Sequence, residues 1–251
     1  MSQLQRIIVG HDLTEGSDSA VKYTAVLAAR YGAALHFVHV IEPIHTYQRL
    51  SHPFTPPYTP EELAQQAGAK LEDLVRSPAF ASLHAEYEVR VGKPFVELIL
   101  ARRAWQANLI IVGGPINQDG PLLGGTSERL VRKALVPVLI TKRPLSAATK
   151  TFLLPTHFSP ASKQAVEEAL TLSDLPFQHI SWERRTVSGP AGTSIVNQAD
   201  QCQADVIVMS THGRNGLAHM LLGSVTEEVA QTAPNLILTI RPDAFRFELP
   251  Q

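Results

Sequence analysis

Met209-Ser210-Thr211-His212-Gly213-Arg214-Asn215-Gly216, then Leu217 to Leu222, then Gly223-Ser224-Val225-Thr226-Glu227, is the stretch that decides how this chain reads. The apolar run Asp205-Val206-Ile207-Val208-Met209 leads into it and an amphipathic segment follows. That is the order of a strand, a glycine-punctuated loop and a helix. Glycine at 213 and 223 permits positive φ and lets backbone N–H groups turn toward a common point. A helix opening at Ser224 adds its free N–H groups and the positive end of its dipole. Together these make a cradle suited to phosphate oxygens. Ser224 and Glu227 also form an S-x-x-E capping box, which a helix uses with no ligand present.

The loop resembles that of the universal stress protein family, whose signature is G-x2-G-x9-G-[ST]. Here it reads Ser210-x2-Gly213-x9-Gly223-Ser224, with serine in place of the first glycine, and the tail Leu221-Leu222-Gly223-Ser224-Val225-Thr226-Glu227 matches closely. The resemblance implies that this loop holds the phosphates of a bound adenine nucleotide, usually ATP, with AMP and ADP also open.

The bulk numbers narrow the function classes. At 251 residues, the chain suits one large domain or two small ones. Net charge is −1, so no global field draws in nucleic acid or an anionic membrane. Cys202, the one cysteine, allows no intrachain disulfide, which fits a reducing cytoplasm. It reads as a mid-helix packing residue. The start, Met1 to Ile7, lacks the long apolar region of a signal peptide, and no apolar run reaches the ~20 residues of a membrane span.

Strands and helices alternate along the first half. Arg6 to Asp12, Leu35 to Ile41, Ala85 to Val91, Asn108 to Val112 and Val136 to Thr141 read as strands. Ala20 to Tyr31, Glu61 to Val75, Pro94 to Ala104 and a segment ending at Ala134 read as helices, and the five prolines between Pro43 and Pro60 mark a long surface loop. Continuously apolar strands alternating with helices specify an α/β fold with a parallel sheet covered on both faces. Its ligands are expected beyond the carboxyl ends of the strands, where Asp12, Val40 and Gly113 fall.

The second half repeats the first in shortened form. Phe152-Leu153-Leu154-Pro155-Thr156-His157 matches Ile7 to Asp12 at an offset of 145, with a helix from Ala161 to Leu172. The loop ends Leu122-Leu123-Gly124 and Leu221-Leu222-Gly223 match at an offset of 99, so the second copy has lost 46 residues. The loss falls before a strand expected at Ile180 to Thr186. The expected fold is therefore two Rossmann-like (adenine nucleotide alpha hydrolase-like) domains, 1–145 and 149–243, the second lacking one strand and one helix, with a tail at 244–251. The resemblance further implies that the last strands, Val136 to Thr141 and Leu236 to Ile240, pair across an internal two-fold axis, a contact that is often intermolecular in the family and underlies self-association.

Carried over residue by residue, the resemblance marks two candidate nucleotide sites. In the first copy these are Asp12 and Val40, which end strands one and two, with Gly113, Gly114, Gly124, Gly125 and Thr126 around the loop. In the second they are Pro155, Thr156 and His157, with Met209, Ser210, Gly213, Gly223, Ser224, Val225 and Thr226. The copies depart from the family in complementary ways. The first loop is two residues shorter and has Gly125 for the serine, while the second has His157 at the aspartate position and lacks the second strand. Asp12 has a purely structural alternative, Asp-x-Thr capping of the following helix.

No Walker A or G-x-G-x-x-G sequence occurs, and Arg214 is the one cation of the strong loop. Holding phosphates through backbone N–H groups suits binding better than hydrolysis, which calls for a cationic or Mg²⁺ clamp. Little or no catalysis is expected, and a nucleotide-free interaction module or a slow ATPase stands as the alternative. The ten histidines are expected to be solvated or capping residues, not metal ligands. His36 and His39, three apart on a strand, point to opposite faces.

Overall fold

The computed structural model describes residues 4–43, 59–114, 125–142, 151–156, 162–167, 183–211 and 224–241. The first half runs β1 (Arg6–Gly10), α1 (Glu15–Tyr31), β2 (Ala34–Ile41), α2 (Pro60–Val75), β3 (Ala85–Val91), α3 (Pro94–Trp105), β4 (Leu109–Gly113), α4 (Gly125–Lys133) and β5 (Val138–Thr141). The second runs β6 (Phe152–Leu153), the helical residues 162–167 as α5, then α6 (Ala191–Gln201), β7 (Val206–Ser210), α7 (Ser224–Thr232) and β8 (Leu236–Ile240).

All eight strands form one sheet in the order β3-β2-β1-β4-β5-β8-β7-β6. Every pairing is parallel except β5 with β8, which run antiparallel with Leu139 opposite Leu238. The two last strands thus meet inside one chain, and each is paired on both sides, β5 with β4 and β8 with β7. The junction lies deep, since all four residues of β5 and all five of β8 are buried. Alternation along the strands feeds two cores. One face packs α3, α4, α6 and α7, through residues such as Leu98, Leu130, Ala199 and Val229. The other packs α1, α2 and α5, through Ala28, Leu71 and Ala165.

The repeat shows in side-chain devices as well as in strand order. Asn108 Oδ1 accepts from Gln5 N–H and Arg6 N–H (both 3.0 Å) and tethers the start of β1 to β4. Asp205 Oδ2 accepts from Thr151 N–H (3.0 Å) and does the same for β6 and β7. Across the junction the halves cap each other. Lys142, following β5, donates from Nζ to the carbonyls of Ala230 and Ala233 at the end of α7. Arg241, following β8, donates from Nη1 to the carbonyl of Arg132 at the end of α4 (2.7 Å). Helix ends leave carbonyls unsatisfied and carry partial negative charge, so a cation fits there.

Several sequence expectations need correction. Helix α1 begins five residues earlier than expected, at Glu15, with Ser17 N–H already bonded to the Thr14 carbonyl at 3.0 Å. Glu183 to Thr186 are not in a strand: this end of the expected Ile180–Thr186 strand is exposed and charged, with Glu183 and Arg185 paired to each other at 2.7 Å and no apolar face to bury. Residues 180–182 lie outside the described residues. The second half therefore contributes three strands, not four, among the described residues. Its first strand stops at Leu153, before Pro155, whose missing N–H cannot join a ladder. Cys202 is not mid-helix: it ends α6, its N–H bonded to the Gln198 carbonyl at 3.0 Å, and it does pack against the core. The long proline-rich loop, residues 44–58, the linker near 146–148 and the tail 244–251 lie outside the described residues.

His36 is not solvated. It sits between Glu86 Oε1 (3.2 Å from Nδ1) and Glu88 Oε2 (3.4 Å from Nε2), edge-on to Trp105. Burial lowers its pKa, against the pull of the two glutamates. His39 bonds on the opposite face, as the spacing requires. Among the described residues no group of three or more ligating side chains could hold a metal ion.

Two helical glycines give opposite expectations. A methyl group at Gly68 meets only Tyr87 Cε2, at 4.0 Å, whereas at Gly192 it would collide with the carboxylate of Glu228. Gly68→Ala should raise stability by about 0.5–1 kcal/mol, and Gly192→Ala should lower it by up to about 1 kcal/mol, because Glu228 must give up its place against the start of α6. Urea unfolding of both variants checks the signs.

Lys142 offers a second test. Burial lowers its pKa from 10.5 to about 8. The unfolded chain then binds the proton more tightly than the folded one, so stability should rise as pH climbs from about 8 to about 10.5. Lys142→Met should lose that slope relative to the parent, read as denaturation midpoints across this window.

Candidate functional site

The carboxyl edge of the first half gathers the residues that sequence assigned to it. Strand β1 ends at Gly10, and His11 N–H still bonds to the Val38 carbonyl (3.0 Å), so the chain leaves the sheet only at Asp12. Asp12 Oδ1 then accepts three bonds: from Thr14 N–H (3.0 Å), Thr14 Oγ1 (2.6 Å) and Ser17 Oγ (2.8 Å). Burial raises its pKa, but these hydrogen bonds outweigh that and hold the carboxyl below its ordinary value of 3.8. Asp12 thus ties the loop to the start of α1 through Thr14 and the Ser17 hydroxyl, while Thr14, at the N-cap, makes no side-chain cap bond of its own.

Leu13, the next residue, lies in the left-handed region at φ 62°. A non-glycine residue there costs about 1–2 kcal/mol. It is held by His11, whose Nδ1 accepts from Leu13 N–H at 3.0 Å. His11 is only 7% exposed. Its Nε2 faces Asp18 Oδ1 at 3.7 Å, within ion-pair range but longer than a hydrogen bond. Burial lowers the His11 pKa, and His39 adds to this, while Asp12 and Asp18 oppose it. His39 Nδ1 donates to the His11 carbonyl at 2.8 Å. Sequence reading did not single out His11. The signal was a histidine placed directly before an Asp-x-Thr cap at a strand end.

Beside this loop lies a cavity of about 280 Å³ between the end of β2 and α2. Leu13, His39, Val40 and Ile41 form one wall, and Leu63, Gln66 and Lys70 form the other. Val40 therefore lines a real recess. Across β1, Gly113 ends β4 and Gly114 follows it. Gly114 N–H bonds to the Thr141 carbonyl (2.7 Å), and a side chain at 114 would press into Lys142 and Ile140. Gly125 opens α4, and a methyl group there would meet nothing within 4 Å. Thr126 follows it in the same first turn. Gly124 lies outside the described residues.

The second half repeats the helix anchoring. Ser127 Oγ donates to the Gly113 carbonyl (3.3 Å), and Thr226 Oγ1 donates to the Ser210 carbonyl (2.8 Å). In each copy the third residue of the helix pins its N-terminus over the end of the preceding strand. Thr226 is accordingly buried and spends its hydroxyl proton inside the protein. Met209 is also buried, in the core. Ser210 ends β7, while Ser224 and Val225 open α7. Thr156 bonds to Ser162 through their hydroxyls (3.0 Å), just beyond Pro155. His157, Gly213 and Gly223 lie outside the described residues.

A mostly parallel sheet covered by helices on both faces, with its strand ends beside helix starts, is a Rossmann-like α/β architecture. The universal stress protein family model matches residues 3–142 and 174–241, and the chain belongs to that family. A universal stress protein of Mycolicibacterium smegmatis is 25% identical, over 94% of this chain and 97% of its own length. Universal stress protein Rv2005c of Mycobacterium tuberculosis is 23% identical, over 94% and 96%. Among solved structures, a universal stress protein from Archaeoglobus fulgidus has a TM-score of 0.72 at 19% identity, covering 96% of this chain and 99% of that one. Protein PA1789 from Pseudomonas aeruginosa has a TM-score of 0.62 at 18% identity, covering 96% and 94%. The relatives are thus of similar, two-unit length.

Asp12→Ala should lower stability by about 1 kcal/mol at pH 7, the usual worth of a capping side chain that is solvent-screened. Because the folded carboxyl lies below 3.8, the difference from the parent should be full above about pH 4 and narrow as acid protonates the carboxylate. Urea melts at pH 7 and pH 3 measure both.

Proposed function

We propose that this chain is a stress-response regulatory protein that binds an adenine nucleotide, ATP first, at the carboxyl edge of its first half, with little or no turnover. The observation that carries the reading is one shared edge. The Asp12 loop, the recess at Val40, the Gly113-Gly114 strand end and the open first turn of α4 at Gly125 all belong to it. Backbone N–H groups at a helix start favour phosphate, and a recess of about 280 Å³, near the small end for ligand sites, suits a base or ribose. Family membership supports the same reading. The nearby Lys142 is committed to the carbonyls of α7, which fits holding a nucleotide better than cleaving it.

The proposed units are 1–145 and 149–243. In this reading the self-association that family members make between copies is made within the chain, by β5 and β8. No helix among the described residues is long and apolar enough to cross a membrane, and a cytoplasmic setting with no nucleic-acid partner belongs to the same proposal.

Calorimetric titration with ATP should give saturable binding at micromolar to low millimolar concentration. Gly125→Glu should weaken it about tenfold or more, by placing a carboxylate where phosphate would lie. The same charge favours a helix N-terminus, so the melting temperature should hold or rise slightly. No heat at any ATP concentration up to millimolar leaves the nucleotide-free module as the reading.

A further inference from the structure

We propose that His11 is an acid-sensitive latch on the β1–α1 loop, so that protonation of its ring releases Leu13 and Asp12 and loosens the nucleotide site beside them. The part that concerns nucleotide rests on the function proposed above; the loop movement does not.

The geometry fixes the ring's tautomer. Leu13 N–H donates to His11 Nδ1 at 3.0 Å, so Nδ1 carries no proton and the neutral ring holds its proton on Nε2. A protonated imidazole is a donor at both nitrogens. Nδ1–H would then confront Leu13 N–H, donor against donor, and the bond would be lost. That bond secures a residue already held in the left-handed region at φ 62°. Without it, Leu13 has a lower-energy conformation to fall into. Its side chain lines the cavity, and Asp12 is the next residue back in the chain.

The ring cannot simply swing away to keep the bond. The His11 backbone is fixed at both ends, by Val38 through its N–H and by His39 through its carbonyl. The charged groups facing the ring are Asp12 on the loop, Asp18 on α1 and His39 on β2. Asp18, 3.7 Å from Nε2, is placed to receive the imidazolium once it forms. The protonated ring therefore has an acceptor on one side and has lost its partner on the other, which makes two states of a loop instead of general unfolding. Burial lowers the His11 pKa, so the closed state persists through neutral pH and yields below the ordinary histidine range.

The test reads loop and ligand separately. Imidazole ¹⁵N shifts follow the His11 ring, amide exchange of Leu13 (corrected for its intrinsic pH dependence) follows the loop, and ATP titration follows the site. Between pH 7.5 and 5 the ring should protonate, Leu13 protection should fall about tenfold and ATP affinity should fall about tenfold. His11→Asn, which keeps an acceptor but does not titrate, should hold both within about twofold. Leu13 protection that tracks the ring while ATP binds at no pH would uphold the latch and remove the nucleotide reading. The latch is overturned if Leu13 protection is unchanged while the ring protonates, or if the Asn variant loses protection as the parent does. A ring that stays neutral to pH 5 also overturns it. If the Asn variant does not fold, the parent decides: a neutral ring carrying its proton on Nδ1 at pH 7.5 overturns the latch.

Discussion

The antiparallel pairing of β5 with β8 is the constraint from which the rest of the molecule follows. Parallel strands within each half deliver their carboxyl ends to one edge of the sheet. Reversing direction at a single seam sends the two edges to opposite ends. It also sets the start of β8 beside the end of β5, and the end of α7 comes with it, since α7 leads directly into β8. A cation just after β5 is then within reach of that helix end, and Lys142 occupies it. The same operation places Arg241 against the end of α4. The cross-caps are geometric consequences of the seam, and they cover carbonyls that would otherwise be buried without partners.

The seam also accounts for how a shortened second half holds together. Three short strands and their helices bury little apolar surface alone. Here both cores run through the junction: Ile140 and Ile237 share one, Leu139 and Leu238 the other. The smaller half therefore shares the larger half's core across the seam, with β6 at the sheet edge among the described residues. Its remaining helix N-terminus at α6 is filled internally, by the Glu228 carboxylate against Gly192 with Thr193 Oγ1 donating to it (3.2 Å).

What could be read from sequence follows the strength of the local signal. Buried parallel strands such as Ile7 to Val9, Leu109 to Val112 and Val206 to Met209 are continuous apolar runs, and their placement matches within a residue or two. The offset of 145 reappears between Arg6 and Thr151, whose N–H groups are tethered by Asn108 and Asp205, and the offset of 99 between the hydroxyl anchors Ser127 and Thr226. Glu183 to Thr186 stayed out of the sheet because these residues are exposed and polar, with Arg185 satisfied by Glu183 and Gln198 and no apolar side chain to bury. The start of α1 was obscured because Glu15-Gly16-Ser17-Asp18-Ser19 carries no large apolar residue to show a helical period, although the part Asp12 plays at that turn was legible. His11 was invisible because its meaning lies in a φ angle two residues later, which no pattern of residue types reports.

At the strand ends, polar atoms divide between structure and ligand, and the division bears on function. Asp12 Oδ1, Ser127 and Thr226 are spent on holding loops and helix starts in place. What the start of α4 offers at this edge is backbone: the opening N–H groups that a helix leaves without partners inside itself. Backbone donors offer phosphate only partial charge, whereas phosphoryl transfer calls for a cationic or Mg²⁺ clamp. A nearby lysine could change that, yet Lys142 is turned to helix carbonyls in a setting that already lowers its pKa. Drawing it toward a phosphate would uncap α7 and disturb the seam. On the reading proposed above, the arrangement that stabilises the two halves together is therefore also the one that favours holding a nucleotide at this edge over cleaving it.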